Sequence, residues 1–257
     1  CHNPAGDTGQ KILGPQLAPI AERIGPEGGL DKIKEFFLAG EGCRSGCRGR
    51  LRACEMMDEY VVHSMRLAGV EPGELHGVKI FQDYLFGAAG KEMMLAFDRA
   101  GAELTPLHFA PDGAFPLGDP NPVKQQVVEE GRRAMESGEF LFGAFFDGDG
   151  DRCLLVDEQG QVVDGDAIML VLAQHLKRRG ALRGDTLVAT VMSNIGLEIA
   201  LRREGIDMLR TPVGDKHVAG AIATGNYALG GEQSGHVILS DFLFTGDGIV
   251  TALSVLR

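Results

Sequence analysis

The chain has 257 residues, and 36 acidic residues outnumber 25 basic ones, giving a formal net charge of -11. A surface of this sign repels polyanions, which excludes non-specific nucleic-acid binding as a function. The hydrophobic fraction of 44% is enough for a buried core and roughly two domains. No apolar run approaches the ~20 residues that span a bilayer, and no secretory signal opens the chain. We therefore expect a cytoplasmic protein without a membrane partner.

The five cysteines are an odd number without paired spacing, which favours reduced thiols over a disulfide framework. Cys43, Cys47 and Cys54, completed by His63, are the alternative, a zinc site. The gaps between these cysteines match no common zinc pattern. We expect instead that the arginine-rich segment 40–52 is a mobile, solvated loop.

The predicted elements alternate between strands and helices. In chain order they are a strand over 78–81, a helix over 91–100, a strand over 103–109, a helix over 123–137, strands over 143–146 and 153–156, a helix from Asp166 to Leu176, a strand over 186–191, a helix over 195–203, a strand over 208–211, a helix over 216–223, and strands over 227–229 and 237–239. Asp166 is the predicted cap of its helix. Four prolines keep 110–122 out of regular structure. The alternation predicts an α/β fold with mainly parallel sheets.

The segment Asp147-Gly148-Asp149-Gly150-Asp151-Arg152 connects two apolar runs that read as buried strands. Carboxylates at every second position, with glycines that permit a tight turn, converge on one hard cation. Three carboxylates leave coordination positions open, as Mg²⁺ requires when it also binds water or phosphate oxygens. Arg152 adds a guanidinium suited to an anion. The loop therefore predicts Mg²⁺ bound by Asp147, Asp149 and Asp151, and a phosphorylated partner.

This loop has two other interpretations, an EF-hand and a solvated turn. Counted from Asp147, an EF-hand would use Glu158 at its twelfth position, but its sixth position requires glycine and Arg152 stands there. The flanking runs are also strand-like, whereas an EF-hand is flanked by helices. The remaining alternative is a solvated acidic turn with no ligand.

Two further motifs offer polar groups for a ligand. Glu232, Ser234 and His236 lie on a glycine-rich turn between strand candidates, where Glu232 and Ser234 suit sugar hydroxyls and His236 suits phosphate or proton transfer. A structural polar turn is the alternative. Gly214-Asp215-Lys216 opens a helix, whose free N–H groups, together with the lysine, favour an anion. An ordinary aspartate-containing helix start is the alternative there.

With the opening residues Cys1-His2-Asn3-Pro4, these motifs stand in the order found in the α-D-phosphohexomutases, and the chain resembles that family. Segments 192–198, 213–215 and 245–249 look most like the phosphoglucosamine mutases within it. The resemblance implies consecutive three-layer α/β domains with mixed, mainly parallel sheets. It places the C-terminal part of domain 1 in residues 1–75, domain 2 with the metal loop in 76–164, and domain 3 with the sugar loop in 165–257.

The activity that the resemblance implies is interconversion of glucosamine 6-phosphate and glucosamine 1-phosphate through a phosphoenzyme and a bisphosphorylated intermediate, with Mg²⁺ as cofactor. Cys1 falls on the position of the family's phosphoserine, and Lys11 falls on that of its catalytic lysine, where an exposed surface lysine is the alternative. Arg152 would hold the oxygens of the transferred phosphoryl group.

Two alternatives to this activity stay open. One is a phosphomannomutase or phosphoglucomutase with a different hydroxyl preference, and the other, motivated by Cys1, is an inactive homologue that binds a sugar phosphate. The family's N-terminal half-domain and C-terminal phosphate loop have no counterpart in these residues. We therefore expect a fragment that does not turn over by itself.

Overall fold

The computed structural model describes residues 5–7, 12, 29–40 and 50–257. Cys1, Lys11, Cys43 and Cys47 lie outside the described residues, as does most of segment 40–52, and the predictions that concern them stay predictions. The helices and strands are α1 Leu30–Ala39, α2 Met57–Ala68, β1 Lys79–Asp83, α3 Gly90–Arg99, β2 Glu103–Leu107, α4 Gln125–Met135, β3 Phe142–Phe146, β4 Cys153–Asp157, β5 Val162–Val163, α5 Gly165–Arg178, β6 Thr186–Thr190, α6 Ile195–Arg203, β7 Asp207–Thr211, α7 Asp215–Gly225, β8 Leu229–Gly231, β9 Val237–Leu239 and α8 Gly248–Val255.

The first sheet has five strands in the order β2-β1-β3-β4-β5. Strand β1 pairs in parallel with β2 and β3, whereas β4 pairs antiparallel with β3 and β5. Side chains alternate between its two faces, as a strand requires. Ile80 and Phe146 pack in a core shared with α2 and α3, while Phe81 and Phe145 pack against α4. Helices therefore cover both faces of this sheet.

The second sheet has four strands in the order β7-β6-β8-β9. Strand β6 pairs in parallel with β7 and β8, and β8 pairs antiparallel with β9. Leu187 and Ala189 pack with residues of α5 and α6, whereas Val188 and Ile238 pack with α7. This sheet is also a three-layer unit, so the prediction of α/β layers with mixed, mainly parallel sheets is confirmed.

Helix α8 joins the two units by packing against α2, β4 and α5. Its side chains are buried on nearly every side, among them Ile249, Val250 and Leu253. Helix α2 packs against α3 as well as α8, so it belongs to the same body as the first sheet. Helix α8 has only eight residues, and none of the helices in the described ranges is both long and apolar enough to cross a membrane.

Most predicted elements agree with the structure to within a few residues, but two details are wrong. Asp164, and not Asp166, caps α5, because its side chain accepts a hydrogen bond from the backbone N–H of Ala167. Asp166 lies inside the first turn and accepts a hydrogen bond of 2.7 Å from the backbone N–H of Asn194. Strand β8 begins two residues later than predicted because the backbone N–H of Tyr227 closes the end of α7. Four observed elements have no predicted counterpart, namely α1, α2, β5 and α8.

Candidate functional site

The aspartate hairpin consists of β3, β4 and the connecting residues 147–152. Phe146 and Cys153 face each other in antiparallel register where the strands end. Gly150 has a φ of 72°, and a Cβ at this position would lie 2.4 Å from the Cβ of Ala89, so glycine is required for this turn. One carboxylate oxygen from each of the three loop aspartates lies within 4.8 Å of the other two. The carboxylates of the sequence motif therefore converge.

The carboxylate of Asp147 is the buried acidic group of the aspartate hairpin. The residue is 1% exposed, and burial, followed by the nearby carboxylates of Asp151 and Asp149, raises the pKa of Asp147 to about 8. Its Oδ1 accepts a hydrogen bond of 3.1 Å from the backbone N–H of Arg152. Its Oδ2 is buried and has no hydrogen-bond partner among the described residues. A divalent cation would stabilise the ionised form of the three carboxylates and satisfy Oδ2, and an all-oxygen donor set suits Mg²⁺.

The glutamate hairpin consists of β8, β9 and the connecting residues 232–236. Glu232 Oε1 accepts a hydrogen bond of 3.0 Å from the backbone N–H of Gly214, at the start of α7. The loop is closed internally, because the N–H of Gly235 donates to the carbonyl of Glu232 at 3.0 Å. Ser234 Oγ is buried without a hydrogen-bond partner in the part of the chain that the structure describes. The loop thus holds its carboxylate through the backbone and leaves a hydroxyl available for a ligand.

The two hairpins are joined directly. The backbone N–H of Cys153 donates to the carbonyl of Gly235 at 3.0 Å. Gly235 has a φ of 93°, and a Cβ there would lie 2.5 Å from the carbonyl oxygen of Cys153. Only glycine fits this conformation and this close approach without strain. The aspartate hairpin and the glutamate hairpin, about 80 residues apart in sequence, therefore form one surface.

His236 lies between the hairpins and is 2% exposed. Its Nε2 accepts a hydrogen bond of 3.0 Å from the backbone N–H of Gly246, which places the proton of the neutral ring on Nδ1. Nδ1 lies 3.5 Å from Oδ2 of Asp151. Both ring nitrogens therefore face protein groups, and the group beside Nδ1 is the Asp151 carboxylate of the aspartate hairpin. The expectation that His236 serves phosphate or proton transfer stays a prediction.

A cleft of about 610 Å³ opens between the two sheets, beside both hairpins. The polar residues that line it are Arg152, Asp164, Thr190, Glu232, Gln233 and Ser234. Arg152 lines the cleft, and its buried Nε has no hydrogen-bond partner among the described residues. The apolar part of the lining includes Met192 and Val213. A cleft of this size accommodates a small polar molecule with an anionic group.

Comparison with known proteins shows to which protein family this chain belongs. The family model for phosphoglucomutase/phosphomannomutase alpha/beta/alpha domain II matches residues 58–160, and the model for domain III matches residues 164–257. Together the two matches cover most of the chain and include both hairpins. The chain belongs to the phosphoglucomutase/phosphomannomutase family. The domain II match begins before the boundary expected near residue 75 and includes α2.

Curated members of the family that resemble this chain include phosphoglucosamine mutases. The relative from Leifsonia xyli subsp. xyli is 40% identical over 260 residues, which cover 99% of this chain and 54% of the relative. The relative from Streptomyces coelicolor is 47% identical over 212 residues, which cover 80% of this chain and 44% of the relative. The chain therefore spans about half the length of the curated relatives that it matches.

Solved structures show the same fold. A phosphoglucomutase/phosphomannomutase family protein from Burkholderia thailandensis superposes with a TM-score of 0.77 at 24% identity, covering 88% of this chain and 49% of the other. An N-acetylphosphoglucosamine mutase from Aspergillus fumigatus, solved in complex with GlcNAc-6P and magnesium, superposes with a TM-score of 0.54 at 20% identity, covering 78% of this chain and 46% of the other.

The structure brings together some of the site residues predicted for this family member and not others. Arg152, Glu232 and Ser234 line the same cleft. Asp149 and Asp151 line a separate pocket, together with Tyr60 and Asp247. Gly214, Asp215 and Lys216 stand beside the cleft, at the start of α7, and only the preceding residue, Val213, lines it. Gly214 instead supports Glu232 through its backbone. Cys1 and Lys11 lie outside the described residues.

Sequence reasoning missed three polar residues of the cleft, Asp164, Thr190 and Gln233. Gln233 Nε2 donates to Asp164 Oδ2 at 3.1 Å, and the backbone N–H of Gly165 donates to the carbonyl of Gln233 at 3.0 Å. The start of α5 is therefore fixed against the glutamate hairpin. A signal existed in the sequence, because aspartate directly before a helix is a frequent cap, but the prediction placed that role on Asp166.

Proposed function

We propose that the protein containing this chain is a phosphosugar mutase that interconverts glucosamine 6-phosphate and glucosamine 1-phosphate. One observation carries the proposal: the aspartate hairpin, whose three carboxylates converge, is hydrogen-bonded directly to the glutamate hairpin, and both hairpins contribute residues to the same cleft. The aspartate hairpin contributes Arg152 and Leu154, and the glutamate hairpin contributes Glu232, Gln233 and Ser234. The identity of the curated relatives and the sugar phosphate bound by the fungal structure support the choice of substrate class. Because the chain spans about half the length of those relatives, the proposal concerns the whole protein.

The aspartate hairpin and Arg152 serve the phosphoryl group in this proposal. Asp147, Asp149 and Asp151 would hold Mg²⁺, which when bound neutralises negative charge on the phosphoryl oxygens. Arg152 lines the cleft, and phosphate oxygens accept hydrogen bonds from a planar guanidinium. We propose that His236 is a positioning residue, which orients the Asp151 carboxylate through its Nδ1.

The glutamate hairpin serves the sugar. The Glu232 carboxylate accepts hydrogen bonds from hydroxyl or ammonium groups, and its position is fixed by the N–H of Gly214. Ser234 Oγ both donates and accepts, which suits a ring hydroxyl. Asp215 and Lys216 stand beside the cleft at the start of α7, where the positive end of the helix dipole and the lysine favour the substrate's second anionic group.

The remaining roles are predictions for residues outside the described ranges. Cys1, or a serine in its place, would carry the phosphoryl group and pass it to one sugar oxygen. Lys11, in its neutral form, would take the proton that the attacking hydroxyl loses. The second phosphate then returns to the enzyme nucleophile while the protonated lysine returns the proton to the departing sugar oxygen, so the cycle closes without net change in the enzyme.

A coupled mutase assay on the intact gene product tests the proposal. It compares glucosamine 6-phosphate, mannose 6-phosphate and glucose 6-phosphate, with Mg²⁺ and a catalytic amount of the matching bisphosphate. We expect the highest kcat/KM with glucosamine 6-phosphate. A preference for either other sugar would assign the protein to a different mutase, and no turnover with any of them, by the native protein or by its Cys1→Ser variant, would favour an inactive sugar-phosphate-binding homologue.

A further inference from the structure

A second cluster of metal-binding side chains lies in the first sheet and shares no residue with the aspartate hairpin. Asp83 ends β1, His108 directly follows β2, and Glu130 lies on α4. The parallel register pairs Asp83 with Leu107, so the carboxyl ends of two neighbouring strands bring Asp83 and His108 together. One ligand atom from each of the three side chains lies within 4.8 Å of the others.

The burial of Asp83 distinguishes this cluster from a solvated acidic group. The side chain is 1% exposed, and that of His108 is 14% exposed. Asp83 Oδ1 accepts a hydrogen bond of 2.9 Å from the backbone N–H of Leu85 and lies 3.0 Å from His108 Nδ1. Asp83 Oδ2 is buried and has no hydrogen-bond partner in the described part of the chain. A buried carboxylate oxygen without a partner is unfavourable unless a cation or a proton occupies the site.

The donor set indicates which cation the cluster suits. One imidazole nitrogen and two carboxylates form a mixed nitrogen and oxygen site, which transition metals such as Zn²⁺ bind more tightly than Mg²⁺ or Ca²⁺ do. The exposed Glu130 gives the site an open side toward solvent, through which an ion can enter and water can complete the coordination. The aspartate hairpin, by contrast, offers oxygen ligands alone.

We propose that Asp83, His108 and Glu130 bind a divalent transition-metal ion of the Zn²⁺ class at a second site, separate from the Mg²⁺ loop. The ion would also stabilise the turn that follows β1, residues 84–89. The N–H of Ala88 in this turn donates to the carbonyl of Gly148 at 2.9 Å, so the turn supports the backbone of the aspartate hairpin.

Titration of the purified chain with Co²⁺ and with Zn²⁺, in excess Mg²⁺ to occupy the aspartate hairpin, tests the site. We expect Co²⁺ to produce visible d–d absorption without the strong near-ultraviolet charge-transfer band that thiolate ligands give, and Zn²⁺ to abolish that absorption by competition. His108→Gln and Glu130→Gln should each weaken Co²⁺ binding by roughly tenfold or more. The matched control is Glu129→Gln, one residue away on the same helix, which should bind as the wild type does.

The exposed position of Glu130 makes its variant decisive, because the exchange for glutamine preserves size and leaves the fold intact, as circular dichroism would verify. Unchanged Co²⁺ affinity in folded Glu130→Gln would overturn the proposal. A spectrum dominated by thiolate charge transfer, or no binding by the wild type, would overturn it as well. The proposal does not depend on mutase activity, so its failure is distinguishable from failure of the proposed function.

Discussion

The aspartate and glutamate hairpins occupy equivalent places in their two sheets, yet they hold their polar groups in opposite ways. In the aspartate hairpin the carboxylates converge on one another, and Asp147 Oδ2 stays buried and unpaired within the described structure. In the glutamate hairpin Glu232 is held by the backbone N–H of Gly214. The aspartate hairpin thus needs a cation to offset its clustered carboxylates. In the glutamate hairpin the carboxylate is already held in place by the backbone, and the loop conformation depends on close packing at Gly235.

The largest expected effect concerns the cation. Asp149→Ala removes one of three ligands from the converging set, so Mg²⁺ binding measured by calorimetry should be abolished. The matched control, Glu158→Ala, removes an exposed carboxylate from the other end of β4 and should leave Mg²⁺ affinity unchanged. Equal Mg²⁺ affinity in the wild type and Asp149→Ala would contradict the assignment and remove the main contrast between the hairpins.

The next effect is the pH dependence of stability without metal. The pKa of Asp147 is raised from 3.8 to about 8, so between these values the folded chain retains a proton that the unfolded chain has lost. The contribution of Asp147 to the free energy of unfolding therefore falls as the pH rises through this window, by at most ~1.4 kcal/mol per pH unit, and levels off above pH 8.

Urea denaturation in a metal chelator, compared between the wild type and Asp147→Asn, measures this contribution. The difference in unfolding free energy between the two proteins should change with pH across the window in the chelator. Saturating Mg²⁺ should abolish that slope for the wild type, since the cation stabilises the ionised carboxylate. A difference that is independent of pH would show that Asp147 titrates normally.

A smaller effect tests the steric fit of the glutamate hairpin. Gly235→Ala places a Cβ 2.5 Å from the carbonyl oxygen of Cys153 and forces alanine to a φ of 93°, so the variant should lose about 2–4 kcal/mol of unfolding free energy. The control is Gly220→Ala, on helix α7 with no heavy atom within 4 Å, which should gain about 0.5–1 kcal/mol. Equal stabilities of the two variants would mean that the hairpins are not tightly joined.

The smallest effect concerns ligand binding. Glu232→Ala should weaken the binding of glucosamine 6-phosphate by about 1–3 kcal/mol, roughly 5-fold to 150-fold, because a ligand hydroxyl would lose its buried acceptor. Glu204→Ala, on the exposed surface after α6, is the control. Unchanged dissociation constants for both variants would make the glutamate hairpin a structural turn.

The aspartate hairpin could be predicted from the sequence because its chemistry is local. All three carboxylates lie in one six-residue segment, and the flanking apolar runs determine that the segment connects two strands. The role of His236 could not be predicted, since it depends on Gly246 and Asp151, which only the tertiary structure brings to its ring. The cluster of Asp83, His108 and Glu130 could not be predicted from the sequence for the same reason, because its members come from three separate elements.

Local signals were also ambiguous in places. Asp164 and Asp166 are both suitable caps for α5, and contacts with Ala167 and Asn194 decide which of them caps the helix. Helix α8 is apolar on all sides, so it lacks the amphipathic period that reveals a surface helix. The alternation of strands and helices was nevertheless sufficient to predict the α/β architecture.

The central claim is that the two hairpins form one Mg²⁺-dependent site for a sugar phosphate, and thermodynamic coupling tests it most directly. Glucosamine 6-phosphate should be titrated calorimetrically into the chain with and without saturating Mg²⁺. We expect Mg²⁺ to tighten sugar-phosphate binding by about tenfold, and this gain to vanish in Asp149→Ala, because Arg152 of the aspartate hairpin lines the cleft of the glutamate hairpin. Identical affinity with and without Mg²⁺ would contradict the claim that the hairpins act together.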